Sequence, residues 1–433
     1  MYSMVMGNRL VNLINKEKNL DMSPKSFFET IYYPLFYDHP KYFQWIQNSP
    51  FVQGYKSENP PDKEIRRAML DKFYAKIDKK EPEASIAVGF GAAGYRETTS
   101  GQITSMNIPI EIGDIYSTWI GSGLGVGISG GLVLFIDNDA VIKCLYEGWT
   151  NYRNVLNETN HLKGNQIETW NGHWLTFALN NKNYNEQMFI PPTIKEGENK
   201  LKIPSQKWVK LLFALARKFP NEKLNTYIFN LSQTNTTVGF IQINLPDIKR
   251  EIEMFNYLFS KTESLNKLSI DEVYNTQYSF RIACTKGVIG LREIEPKDIK
   301  DYFNSNSSKS KEIKINNENN IINYNIYISW IIAMLNNKDT LQKAEEVAGI
   351  FSSFTAAQVR GKTERINMVD KILSSTTRKI FIENLTKLLE EDPSNSELYN
   401  SLCTEVDNLT TEKFPYFLTL VNFKYKFLQV SKK

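Results

Sequence analysis

The sequence predicts an α+β protein: an N-terminal mixed α+β body with glycine-rich loops, followed by a C-terminal all-α helical bundle. Three observations carry that reading. Gly89 to Gly131 holds 11 of the chain's 22 glycines, and glycine allows backbone or ligand to approach closely. The run LNTYIFNLSQTNTTVGFIQINL joins two β-rich stretches through a polar turn at Gln233–Thr237. From residue 326 onward, apolar residues recur at helical spacing in successive segments, the pattern of a bundle.

A chain of 433 residues has room for two or three domains. The expected division is a body over 1–303, an Asn-rich linker or loop over 304–325, and a helical bundle over 326–433. The loop assignment rests on eight asparagines in 22 residues plus a small Lys/Ser cluster. Hydrophobic and charged contents of 41% and 23% are ordinary, and a net charge of +4 is compatible with nucleic-acid contact. Cys144, Cys284 and Cys403 are scattered and form no CxxC pair, which excludes a zinc ribbon and fits a reducing compartment. The N-terminus lacks a basic-then-apolar leader, so a cytoplasmic location is expected.

Taken in order, residues 1–80 read as helical and aromatic. Ten of the 25 residues from Phe27 to Phe51 are aromatic, a small helical core broken at Pro34 and Pro40. A charged helix follows over Asp62–Lys80, and the glycine region (84–146) reads as sheet: strands at Ala84–Val88, Ile108–Ile115, Leu132–Ile136 and Val141–Tyr146. Gly148–Asn199 is Asn-rich and loop-like, with a strand near Trp174–Leu179. The second α+β part (200–303) has a helix from the cap Ser205 to Lys218, then the hairpin and a helix over Asp247–Phe259. A strand-like run at Tyr278–Ile289 and a short helix from Pro296 to Phe303 complete it. The bundle helices are expected at Ile326–Asn336, Thr340–Phe354, Glu364–Leu373, Thr377–Leu389, Ser394–Asn408 and Phe414–Val430.

One stretch tests the soluble reading. No charge occurs between Asp114 and Asp137, a length able to span a bilayer. Its six glycines from Thr118 to Ile136 and its acidic flanks favour buried sheet with glycine turns instead. A membrane-active defence effector built on residues 115–136 remains a rival reading.

Catalytic patterns are sparse. Two GxGxxG matches, Gly89–Gly91–Gly94 and Gly125–Gly127–Gly130, lack a following helix N-terminus, and no GK[ST] is present. His39, His161 and His173 stand in no HxH or HExxH spacing, and no GxSxG elbow occurs. A metal-dependent nuclease or other phage-defence enzyme would draw on Asp137 and Asp139 before Lys143, or on Glu295–Lys297 and Glu312–Lys314. No cofactor, metal site or catalytic residue is expected.

Basic residues say more. Arg96 sits among Tyr95, Thr98, Thr99, Ser100 and Gln102, a loop with donors suited to groove reading or phosphate clamping. Arg360 to Lys379 carries Arg360, Lys362, Arg365, Lys371, Arg378 and Lys379 against Glu364 and Asp370, net +4, whereas 321–433 as a whole is +1. On one continuous helix, Arg360, Lys371 and Arg378 fall within roughly 20° of one line, opposite Ile366, Val369, Leu373 and Ile380. Such a stripe can track a phosphate backbone.

With AAQVRGKTERINMVDKILSSTTRKIFIENLTKLLEE as its most suggestive piece, the chain resembles the large subunit of a type I CRISPR effector complex (Cascade). The resemblance is one of architecture, and it implies a non-enzymatic protein. Such a subunit reads the protospacer-adjacent motif on target DNA and stabilises the displaced strand while guide RNA pairing reads the remainder. Its implied partners are guide RNA, target DNA, the backbone subunits and a separate helicase-nuclease, with no membrane. By chemistry, Arg96, Gln102 and Asn107 are the candidate motif readers, and Arg360, Lys362, Arg365, Lys371, Arg378 and Lys379 the candidate backbone contacts.

Overall fold

A computed structural model describes residues 2–46, 49–52, 60–78, 86–89, 110–180, 189–230, 237–259, 270–274, 276, 278–296, 318–356 and 361–431. It is an α+β fold with a small mixed sheet in the N-terminal half and a helical C-terminal region.

Helix α1 (Tyr2–Lys18) turns Ser3, Met6, Gly7, Leu10, Val11 and Ile14 inward, the three-and-four spacing of one helical face. Ser23 caps α2 (Pro24–Phe27) by accepting from the Ser26 amide. The chain then passes through a π-helical turn, Phe28–Tyr32, into α3 (Tyr33–Phe36). Pro34 therefore does not break the segment as expected. It falls in the first turn of α3, where a missing amide costs least, directly after the π turn. The aromatic stretch is core: Phe27, Phe28, Tyr32, Phe36 and Phe43 are fully buried, and only Trp45 is well exposed. Helix α4 (Lys63–Asp78) adds Phe73, whose ring stacks on Phe28 at 5.3 Å.

Helix α5 (Ile112–Ser122) lies against α1 so closely that only glycine fits at the crossing. A Cβ on Gly121 would stand 1.8 Å from the Ser3 carbonyl oxygen, and one on Gly7 would stand 1.9 Å from that of Ser117. The run expected as a strand over Ile108–Ile115 is thus helical from Ile112. Short apolar runs do not distinguish a buried helix from a buried strand, and here a helix–helix crossing uses the glycine. Residues 86–89 form a turn where a strand was expected, with the Ser3 hydroxyl donating to the Val88 carbonyl at 2.7 Å; 84 and 85 lie outside the described residues.

Strands β1 (Val126–Ile128) and β2 (Leu132–Ile136) follow. Val141–Tyr146, expected as a strand, lies inside α6 (Asp139–Glu158), which Asn138 caps by accepting from the Val141 amide at 3.1 Å. The cap overrides the β-branched composition. The supposed loop over Gly148–Asn199 contains most of α6 and all of α7 (Ile167–Asn180), so Trp174 is helical. Asparagine misled there: Asn151 and Asn171 are buried, and Asn171 donates to the carbonyls of Gly123 and Gly125.

A two-stranded ribbon, β3 (Ile194–Gly197) and β4 (Lys200–Lys202), precedes α8 (Trp208–Lys218). The expected hairpin is β5 (Lys223–Asn230) with β6 (Thr237–Asn244). Then come α9 (Leu245–Phe259) and α10 (Ile270–Val273), followed by α11 (Phe280–Cys284) and β7 (Val288–Ile289). Tyr278–Ile289 is therefore mostly helix and turn, because Ser279 caps α11 at the Ile282 amide. The five-stranded sheet runs β1-β2-β5-β6-β7, antiparallel except for the β6–β7 pair. Leu224, Thr226, Ile228, Ile241 and Ile243 are its buried residues on β5 and β6.

The remaining elements are α12 (Glu318–Leu335), α13 (Thr340–Ala356), α14 (Lys362–Leu373), α15 (Arg378–Glu391), α16 (Ser396–Asn408) and α17 (Phe414–Ser431). Contacts gather residues 1–246 with 279–289 into one compact unit, and 247–278 with 290–433 into another. The chain thus passes between them more than once, and residue 303 itself lies outside the described set. Of the expected loop, 318–325 belongs to α12: Ile322 and Tyr324 are buried, so apolar residues between the asparagines specify a packed helix. Trp330 anchors this unit, fully buried and donating to the Leu291 carbonyl at 2.9 Å. Among the described residues no helix is long and apolar enough to cross a membrane.

Candidate nucleic-acid interface

The basic run of the C-terminal unit does not form one stripe. Helix α14 ends at Leu373, and α15 starts only after the Thr377 hydroxyl accepts from the Ile380 amide. The two helices pack together as a hairpin, so a projection across both helices does not hold.

The cations along this hairpin divide by type. The Arg365 guanidinium lies 4.7 Å from the centroid of the Phe354 ring and donates to the Phe354 carbonyl at 3.3 Å. That carbonyl belongs to the last turn of α13. Arg378 donates to the carbonyls of Asp407 and Leu409 at 3.2 and 2.9 Å, at the end of α16. Two more cations do the same elsewhere in this unit. Arg250 donates to the Ala333 carbonyl, and Lys413 donates to the Leu335 carbonyl at 2.7 Å. The final carbonyls of a helix lack intrahelical donors and carry partial negative charge, so a cation there satisfies both needs.

The lysines face outward. Lys362 begins α14, Lys371 sits in its last turn, and Lys379 is the second residue of α15; all three are exposed. Lys379 keeps only a long contact, 3.9 Å, with Glu383. Beside Lys379 an open groove of about 590 Å³ is lined by Thr376, Thr377, Arg378, Ile382, Asp407 and Thr411, among others. Arg96, Gln102, Asn107 and Arg360 lie outside the described residues, as do Gly91 and Gly94 of the first glycine motif. The groove's threonines and Asp407 were not singled out in the sequence, because they converge from two helices and their flanking turns.

The acid–base residues are dispersed. Arg9 donates to both Asp137 and Asp139, and Lys143 pairs with Glu17 at 2.5 Å. The three histidines sit in three separate surroundings. Burial, aided by the Arg153 charge, holds His39 down at about 4. His173 lies 2.7 Å from the Pro204 carbonyl and is also lowered by burial. His161 is exposed with a positive φ of 62°. Burial pushes the Cys144 and Cys284 thiols up to about 12, so both are neutral near pH 7. Among the described residues no group of three or more His, Cys, Asp or Glu could hold a metal ion. In the second glycine motif, Gly127 lies in β1 where a Cβ would meet the Glu168 backbone of α7 at 2.9 Å. That glycine serves helix–strand packing.

Compared with models of protein families, with curated proteins and with solved structures, the chain matches none of them.

Proposed function

We propose that the chain is a non-catalytic DNA-binding large subunit of an RNA-guided CRISPR surveillance complex, holding strand phosphates along the α14–α15 hairpin. The observation that supports this reading is the separation of cations on that hairpin. Arg365 and Arg378 are engaged with helix ends, while Lys362, Lys371 and Lys379 stand exposed, Lys379 at the rim of an open groove. Lysine is a point charge without the fixed fork of arginine, so it suits sequence-independent contact with a backbone. In this role the body reads the protospacer-adjacent motif through Arg96, Gln102 and Asn107, and the C-terminal unit holds the displaced strand. Its partners are guide RNA, target DNA, the backbone subunits and a separate helicase-nuclease, in the cytoplasm.

Three lysine–phosphate contacts give a plot of log affinity against log salt a slope of about −2 to −3. Affinity for an oligonucleotide then falls roughly 16- to 64-fold between about 50 and about 200 mM salt. The triple variant K362E/K371E/K379E is expected to lose binding and most of that slope while unfolding like the parent, since all three side chains are exposed. Fluorescence anisotropy across a salt series measures it. Unchanged affinity and slope in the variant would refute the reading.

A further inference from the structure

The buried face of the sheet accounts for only half of the residues on β5 and β6. The other face alternates cleanly with it and carries Lys223, Asn225, Tyr227 and Phe229 on β5, with Phe240 and Gln242 on β6. Lys223, Asn225 and Phe240 are exposed, Phe240 by 66%.

The rings stand in register. Phe135 pairs with Tyr227 across β2 and β5, and Tyr227 pairs with Phe240 across β5 and β6. The Tyr227 and Phe240 centroids are 5.2 Å apart, and Phe135 and Phe229 stack at 5.2 Å. Tyr2, from the start of α1, lies 5.2 Å from Tyr227 and edge-on to Phe240 at 5.3 Å. The aromatic row is held in place from several elements: Phe135 is buried at its inner end, Tyr227 and Phe229 are half-exposed, and Phe240 is open at its outer end. The next row along the strands is amide: Asn225 pairs with Gln242, which pairs in turn with Val288 of β7. Exposed cations stand at two of its margins, Lys223 at the start of β5 and Lys286 just before β7.

We infer that this sheet face is a stacking platform for the bases of a single-stranded nucleic acid. The open Phe240 ring, with the half-exposed Tyr227 and Phe229 beside it, offers sequence-tolerant stacking, because every base has a π face. The neighbouring amides can donate to and accept from base edges, and the marginal lysines suit a phosphate backbone. An apolar protein partner would call for a continuous aliphatic surface, and here amides interrupt it after one row. The platform lies in the N-terminal unit and does not depend on the lysine hairpin, so each can fail without the other.

The test uses the full chain and a fluorescein-labelled oligothymidylate of about 12 nucleotides. Phe240→Ala is expected to weaken binding roughly five- to a hundredfold, the range for losing one base–aromatic stack. Phe240→Trp is expected to keep the affinity and to show quenching of the new indole as the oligonucleotide binds. Wild-type affinity in Phe240→Ala would overturn the inference. So would Phe240→Ala turning a self-associated chain into a monomer with oligonucleotide binding unchanged, since a second copy would then be the occupant. Loss of binding in K362E/K371E/K379E with full binding in Phe240→Ala would leave the lysine interface standing and remove the platform.

Discussion

Gly121→Ala is expected to destabilise the N-terminal unit by about 3 kcal/mol, the upper part of the range for overpacking a tight core. The added methyl would stand 1.8 Å from the Ser3 carbonyl oxygen and 2.7 Å from the Gly7 amide nitrogen. Both are backbone atoms, so no rotamer change can relieve the contact and α1 must move away from α5. Gly113→Ala, on the same helix, is the matched control. Its methyl meets nothing within 4 Å, and replacing a helical glycine gains about 0.5–1 kcal/mol. The two substitutions therefore have opposite signs although both add one methyl to α5. Urea unfolding followed by near-ultraviolet circular dichroism reads the difference. A Gly121→Ala variant within about 0.5 kcal/mol of the parent would show that α1 and α5 do not cross there.

The second large effect is a pH dependence. Glu251, on α9, is fully buried; one carboxyl oxygen accepts from the Ser329 hydroxyl at 2.7 Å and the other has no hydrogen-bond partner among the described residues. Burial holds this carboxyl well above its ordinary 4.5, and the Ser329 hydrogen bond opposes that only in part. The acid is thus protonated in the fold under conditions where the unfolded chain has ionised. Its contribution to stability is complete below pH 4.5. It then declines as pH rises toward the folded-state value, at a rate approaching about 1.4 kcal/mol per pH unit. Glu251→Gln has no proton to lose, so the variant's advantage over the parent should widen with pH over that window. Urea midpoints of the two proteins at several pH values check this. Parallel profiles would mean that Glu251 is ionised in the folded chain.

The C-terminal helices were legible in the sequence because each has an apolar face of its own, and α15 a cap as well. Thr377 is that cap, and Val369, Leu373, Leu385 and Leu388 follow the periodicity. The β5–β6 hairpin was legible for the equivalent reason at period two. The glycine region was not. Every residue of α5 from Ile115 to Ser122 is buried, and a segment buried all round has no period to read. Asparagine misled twice, at α7 and at the start of α12, because composition does not reveal when Asn171 will be buried against two carbonyls. Along the α14–α15 hairpin, the local excess of positive charge was visible, but its division was not. Arg365 and Arg378 meet helix ends supplied by distant segments, Phe354 and Asp407. The aromatic row was equally hidden, since Phe135 and Tyr227 become neighbours only through strand register.

Lysine footprinting by an amine-reactive reagent, with and without bound oligonucleotide, tests most directly whether the α14–α15 hairpin grips a phosphate backbone. Lys362, Lys371 and Lys379 should be protected in the complex and reactive without it. Lys195 and Lys200, exposed on the β3–β4 ribbon, should label equally in both. Equal labelling of all five lysines while the oligonucleotide is bound would contradict the assignment.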